Sequence, residues 1–181
     1  MIVIIGASAS GKTEISKILV ENYNYTKLVT TTTRPMRVNE INHKDYHFIS
    51  KEEFEQGLRN NEFLEHTIYN DNYYGINKKD VNDNALVIVD PNGANVLIDK
   101  LNENAFVVYV KTDKKIRKDR MIKRKDDINI IKARLKNDDK VFKKKNIKRI
   151  DLILKNNVIC INELSKKLHL EYISYKNRLK G

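Results

Sequence analysis

The 181-residue chain is 40% hydrophobic and 33% charged, which excludes a mainly disordered chain and leaves apolar material for one packed core but not two ordinary domains. Its formal net charge of +11 points to a polyanionic partner: nucleic acid, a membrane surface or a small phosphorylated ligand. No stretch approaches membrane-spanning length, and the lone Cys160 cannot close an internal disulfide, so a reducing cytoplasmic setting is expected, with Cys160 as a small buried residue of the apolar run VICI.

The apolar N-terminus lacks a basic leader and a cleavage site, and Ile2 to Ile5 reads as a buried parallel strand ending at Gly6. The next eight residues are Gly6, Ala7, Ser8, Ala9, Ser10, Gly11, Lys12 and Thr13. They fit the GxxxxGK[ST] pattern, in which glycines let backbone amides turn inward around phosphate oxygens. Lys12 would reach the β and γ phosphates, and Thr13 would offer its hydroxyl to Mg²⁺, a hard cation that prefers oxygen. Ile15, Ile18 and Leu19 then recur at helical spacing. A second strand is expected around Leu28 and Val29, running into TTTTRPMR, where Arg34 and Arg37 are either a solvated surface pair or a second phosphate site.

Ser50 with Glu53 forms a capping-box pattern for a helix from Lys51 that carries Phe54 and Leu58 inward. Phe63 to Tyr69 and Tyr73 to Ile76, separated by Asn-Asp-Asn, read as a hairpin. ALVIVD at 85–90 is a buried strand whose Asp90 is either a helix cap ahead of Pro91 or a polar group delivered to a site. A helix with Ala94, Leu97, Ile98 and Leu101 follows, then the parallel strand FVVYVK at 106–111. The charged region to 149 carries Ile128, Ile131 and Leu135 on one stripe and reads as a flap, with the lysines of 136–149 on a solvated face. No aromatic residues interleave with those lysines in the manner of a nucleic-acid surface, so no polynucleotide partner is expected. LILKNN, VICI and a helix from about Asn162, with Leu164, Leu168 and Tyr172, close the chain. Alternating strands and helices imply an α/β fold of three layers around a mostly parallel sheet.

In order and interval, GASASGKT, TTTTRPMR, DYHF, FLEH, NYYG and DPNGA resemble guanylate kinase over essentially the whole chain. The resemblance implies a P-loop fold with core segments 1–29, 81–112 and 150–181, an inserted monophosphate-binding lobe at 30–80 and a mobile lid at 113–149. The implied reaction is transfer of the γ-phosphoryl group of ATP to GMP with Mg²⁺, giving ADP and GDP. Carried over by position, Thr30, Arg34, Arg37, Tyr46 and Tyr74 hold the acceptor phosphate, and Glu65 reads guanine. A carboxylate accepts from both the ring N–H and the exocyclic amine of guanine, whereas adenine presents a lone pair. On sheet alternation alone, Glu65 would be an ordinary exposed strand residue. By the same resemblance Asp90 lies beside acceptor and metal, Arg120, Arg124 and Arg134 close over the triphosphate, and Asn156 lies near adenine.

The match departs at Ile76, where the family has Ser or Thr touching the guanine carbonyl, and at Ile88, where it has an acid near the metal. Reduced efficiency is the expected consequence. Asn92 and Lys125 are milder departures. Two other functions fit parts of the pattern: a P-loop kinase for a ribosyl bisphosphate, which would not need Glu65, and a non-enzymatic binding module, which would not need Lys12 or the flap arginines. Oligomeric state is left open.

Overall fold

The computed structural model describes residues 1–69, 71–82, 84–158 and 160–181. Its central sheet orders five parallel strands as β2 (Thr26–Lys27), β7 (Ala85–Ile88), β1 (Ile2–Ile5), β8 (Phe106–Lys111) and β9 (Leu152–Lys155). Strand β1 is buried at every position because helices cover both faces. Val3 and Ile5 pack with Ala94 and Leu97 of α3 (Pro91–Leu101), while Ile2 and Ile4 pack with Ile15 and Leu19 of α1 (Lys12–Tyr23) and with Leu164 and Leu168 of α6 (Ile161–Lys180). Period-two alternation thus assigns successive β1 side chains to opposite layers, giving the three-layer α/β arrangement.

A second sheet orders β4 (His47–Phe48), β3 (Thr31–Thr32), β6 (Asn72–Asn77) and β5 (Phe63–Tyr69). Helix α2 (Lys51–Arg59) has the expected capping box, and its Phe54 stacks on Phe63 with ring centroids 4.4 Å apart. Strands β5 and β6 pair antiparallel as expected, but β6 begins at Asn72; Asn70 of the intervening Asn-Asp-Asn lies outside the described residues. Where Phe63 pairs with Asn77 and Glu65 with Ile76, the register shifts by one residue. Such a bulge re-aims the side chains that flank it, and it leaves both Phe63 and Glu65 buried.

Helices α4 (Lys114–Lys123) and α5 (Ile128–Val141) meet through Met121, Ile131 and Leu135, with Ala9 packed against that small cluster. Three sequence expectations need correction. The strand placed at Leu28 and Val29 forms at Thr26–Lys27, although Leu28 N–H still donates to the Leu86 carbonyl at 2.8 Å. Ile128 is exposed, because it opens α5 one turn before the buried stripe. Cys160 is exposed instead of buried: it immediately precedes α6, and Val158 of the same run is 92% exposed, so the described residues of this run add no core strand. Ile159 of that run lies outside the described residues.

Candidate functional site

The phosphate loop joins β1 to α1. Gly11 caps the helix at φ 98°, a left-handed conformation that glycine adopts without steric cost, and a Cβ there would lie 2.2 Å from Asn156 Nδ2. Ala9 also adopts a positive φ, 58°, and carries the strain of an L-residue in that region. Lys12 Nζ donates to the carbonyl oxygens of Gly6 at 2.6 Å and Ala7 at 3.0 Å. Burial lowers the Lys12 pKa to about 8, against the opposing field of Asp138. An anionic ligand in the loop would restore the charge that burial disfavours.

Asn156 braces the loop from beneath. Its Nδ2 donates to the Ser10 carbonyl at 2.8 Å, and its own backbone carbonyl accepts from Thr112 Oγ1 and Arg120 Nη2. Arg120 Nη1 reaches the Ala9 carbonyl at 3.2 Å, so Arg120 lies against the loop backbone. The resemblance gives Arg120 and Arg124 one role, closing over the triphosphate, but their partners differ. Arg124 caps the end of α4 and pairs with Asp126 through Nε at 2.9 Å and Nη2 at 2.5 Å, while Arg134 Nη1 approaches the same carboxylate at 3.1 Å.

Across the cleft, Arg34 Nη2 donates to both oxygens of Glu40 at 2.8 and 2.9 Å, and its guanidinium lies over the rings of Tyr46 and Phe48 at 5.2 and 5.4 Å. These contacts immobilise a flat, cationic donor set. Arg37 is more exposed and lies 3.9 Å from Glu40. Tyr46 and Tyr74 meet edge to face with centroids 6.2 Å apart, and Thr30 is buried beside them along the same wall. One continuous cleft is lined by Lys12 and Thr13 of the loop, by Arg34, Tyr74 and Glu65 of the inserted segment, and by Arg124 and Arg134 of the charged region.

Glu65 is 3% exposed, and its Oε1 has no hydrogen-bond partner. Burial first, and then the neighbouring Asp90 charge, push its pKa up to about 8, with Lys100 opposing. Gly93 in the first turn of α3 keeps space for this carboxyl: a Cβ there would lie 2.8 Å from Oε1. An unpartnered buried carboxyl oxygen facing a cleft is costly in the free protein, and a ligand with an N–H group would satisfy it. Asp90 realises the helix-cap reading, since its Oδ1 accepts from Gly93 N–H at 2.8 Å. Its Oδ2 accepts from Thr67 Oγ1 at 3.4 Å, and burial raises its pKa. Asp90 also lines the cleft.

Sequence reasoning passed over the acids that hold these arginines. Glu40 follows Arg34 by six residues and Asp126 follows Arg124 by two, and an acid so close to an arginine is the signal that would have found them. Asp138 and Arg117 were also passed over. They form a buried pair, Nη1 to Oδ2 at 3.1 Å, although Asp138 lies within the stretch read as a solvated face. That reading holds for Lys136, Lys140, Lys143, Lys144, Lys145 and Lys148, all exposed.

A family model described as "Guanylate kinase" matches residues 1–173. The guanylate kinase of Aster yellows witches'-broom phytoplasma (strain AYWB) is 39% identical over 142 residues, spanning 72% of this chain and 67% of that protein. The guanylate kinase of Helicobacter hepaticus is 36% identical over 144 residues, spanning 75% and 72%. In three dimensions, the crystal structure of guanylate kinase from Anaplasma phagocytophilum superposes with a TM-score of 0.74 at 23% identity, covering 96% of this chain and 85% of that one. At that identity the superposition establishes the fold. No described helix is long and apolar enough to cross a membrane.

Proposed function

This chain belongs to the guanylate kinase family, and on that premise we propose how its cleft transfers the γ-phosphoryl group of ATP to GMP. The supporting observation is the buried, unpartnered Oε1 of Glu65, which faces the same cleft as the phosphate loop. Ionised Glu65 accepts from the ring N–H and the exocyclic amine of guanine. Adenine would set a lone pair against it, so discrimination comes from an attraction and a repulsion on one side chain.

The reacting groups are both anionic. A phosphate monoester has a second pKa near ~6, so the GMP oxygen is already ionised near neutral pH and needs no general base. The barrier lies in bringing two anions together and aligning them. Arg34 and Arg37, with Tyr46, Tyr74 and Thr30, hold the acceptor phosphate. The loop amides of residues 6–13 other than that of Ser8, together with Lys12, hold the donor phosphates, and Arg124 and Arg134 offset the charge that accumulates between donor and acceptor. Arg120 supports the loop at Ala9 and so fixes the amides about the triphosphate. Asn156 braces the loop at Ser10, and by family position it lies toward adenine.

Thr13 is exposed at the cleft and offers one hydroxyl oxygen, which suits Mg²⁺, an ion that usually takes most of its ligands from water and phosphates. When bound, Mg²⁺ neutralises charge on the transferred group. Ile88 lines the cleft where the family has an acid near the metal, so this chain would place less protein charge near the ion. Closure of segments 30–80 and 113–149 over the cleft would exclude water and suppress hydrolysis. A coupled assay of ADP formation with ATP, Mg²⁺ and each nucleoside monophosphate tests the assignment. GMP is the expected acceptor; equal turnover of AMP and GMP, or none with either, would refute it.

The Glu65 pKa of about 8 sets a pH dependence. GMP needs the ionised form, so below pH 8 binding must expel the proton, and affinity should rise with pH by up to ~10-fold per unit before levelling above about 8. Lys12 acts in the opposite sense: its ammonium is lost above about 8, and ATP affinity should fall there. Calorimetry at pH 7 in buffers of differing ionisation enthalpy should detect release of close to one proton on GMP binding. Binding without proton release would contradict the coupling of GMP binding to Glu65 ionisation.

A further inference from the structure

Four separate segments converge on one buried carboxylate. Asp138 of α5 is 1% exposed. Its Oδ2 accepts from the Ser8 backbone N–H at 2.8 Å and from Arg117 Nη1 of α4 at 3.1 Å, and its Oδ1 accepts from Tyr69 OH at the end of β5 at 3.0 Å. Arg117 is itself held by the Thr112 carbonyl through Nε at 3.2 Å, at the end of β8, and by Asp139 at 3.6 Å. A lid helix, its neighbour, the inserted segment and the phosphate loop are therefore joined at one side chain.

The geometry points to Asp138 as a positioning residue for the donor phosphates: by anchoring Ser8 it holds the phosphate loop in its ligand-accepting shape, and through Tyr69 it ties that loop to the acceptor lobe. The need for an anchor lies in the next residue. Ala9 holds φ 58°, a conformation that L-residues leave when nothing restrains them. A charge-assisted hydrogen bond to the preceding N–H offsets that strain. Arg117 neutralises the carboxylate, so the anchor can sit beside a triphosphate site without repelling its ligand. The inference rests on the P-loop reading of the donor site and makes no use of acceptor identity.

The test is ATP affinity by calorimetry, with GMP affinity and thermal melting beside it. The double variant Arg117→Met with Asp138→Ala removes both charges together, a replacement that proteins often tolerate without loss of stability. It should remain folded, bind ATP about tenfold more weakly as the Ser8 anchor is lost, and bind GMP within about twofold of the unaltered chain. Tyr69→Phe removes the hydroxyl that donates to Asp138, keeps the ion pair and serves should the double variant not fold. It should weaken ATP binding about threefold or more. ATP affinity within twofold of the unaltered chain, in the folded double variant or else in Tyr69→Phe, would overturn the proposal and reduce the pair to packing. ATP is measured without an acceptor, so absent turnover with GMP would count against the functional assignment alone.

Discussion

Glu65→Gln is expected to lower kcat/KM for GMP by about a hundredfold to a thousandfold while leaving ATP affinity nearly unchanged. Two charge-assisted hydrogen bonds, each ~1.5–3 kcal/mol, are at stake, and the amide can accept from only one of the two guanine donors before its own N–H₂ opposes the other. The loss should be selective. AMP gains nothing from a carboxylate at this position, so its slow turnover should stay level or rise, and the ratio of the two acceptors is the informative quantity.

The same substitution carries a stability prediction of opposite sign. The Glu65 carboxyl ionises at an ordinary value of 4.5 when unfolded and at about 8 when folded. Below 4.5 both states hold the proton and nothing changes with pH. Between 4.5 and 8 only the unfolded chain releases it, so the free protein loses stability as pH rises through that window. Glu65→Gln has no such term and should melt higher than the parent at pH 8. A variant that binds GMP poorly yet melts higher separates a binding defect from a folding defect.

Lys12→Met should lower kcat by about 10²–10³-fold, the usual cost of removing one preorganised charge donor from a developing anionic centre. The substitution removes the cation but keeps the length of the stem, so β1, the loop and α1 retain their packing. Lys12→Arg should not restore activity, because the ammonium sits as a compact point charge within 3.0 Å of two loop carbonyls and a planar guanidinium does not fit there. Single-turnover kinetics with saturating ATP and GMP distinguish this loss of chemistry from a loss of binding. A variant with parental kcat would remove Lys12 from the mechanism.

Local pattern carried much of the fold. The order of strand, glycine loop and helix, the capping box at Ser50 and Glu53, and the hairpin at 63–77 depend on residues close in sequence, so spacing alone exposes them. What stayed hidden depends on distant partners. Alternation along β5 leaves Glu65 open to an exposed reading, and only the bulge before it and the docking of Gly93 over it make it a buried carboxyl. Asp138 lies among lysines that are in fact solvated; its burial requires Ser8, Arg117 and Tyr69, which lie 130, 21 and 69 residues away. Cys160 failed in the reverse direction. An apolar run sufficed to suggest core, but β9 had already ended at Lys155 and left Cys160 exposed ahead of α6.

Glu40 and Asp126 illustrate a further limit. In the sequence they are ordinary acids among basic residues, whereas in the folded chain they hold Arg34, Arg124 and Arg134 along the cleft. Each guanidinium is thereby held by a carboxylate that, under the proposed function, a substrate phosphate would have to share or displace. Ile76 is 1% exposed and packs into the core on the strand opposite Glu65, apolar where the resemblance implies a Ser or Thr. Under the proposed function, the burden of base selection would fall more heavily on Glu65 as a result.

A crystal structure grown with GMP and a non-hydrolysable ATP analogue examines that dependence most directly. It should place both Glu65 carboxylate oxygens within hydrogen-bonding distance, ~3 Å, of the guanine ring N–H and exocyclic amine, with the GMP phosphate on Arg34 and the analogue's phosphates on the loop. Guanine bound in the cleft with Glu65 turned away from it would contradict the account.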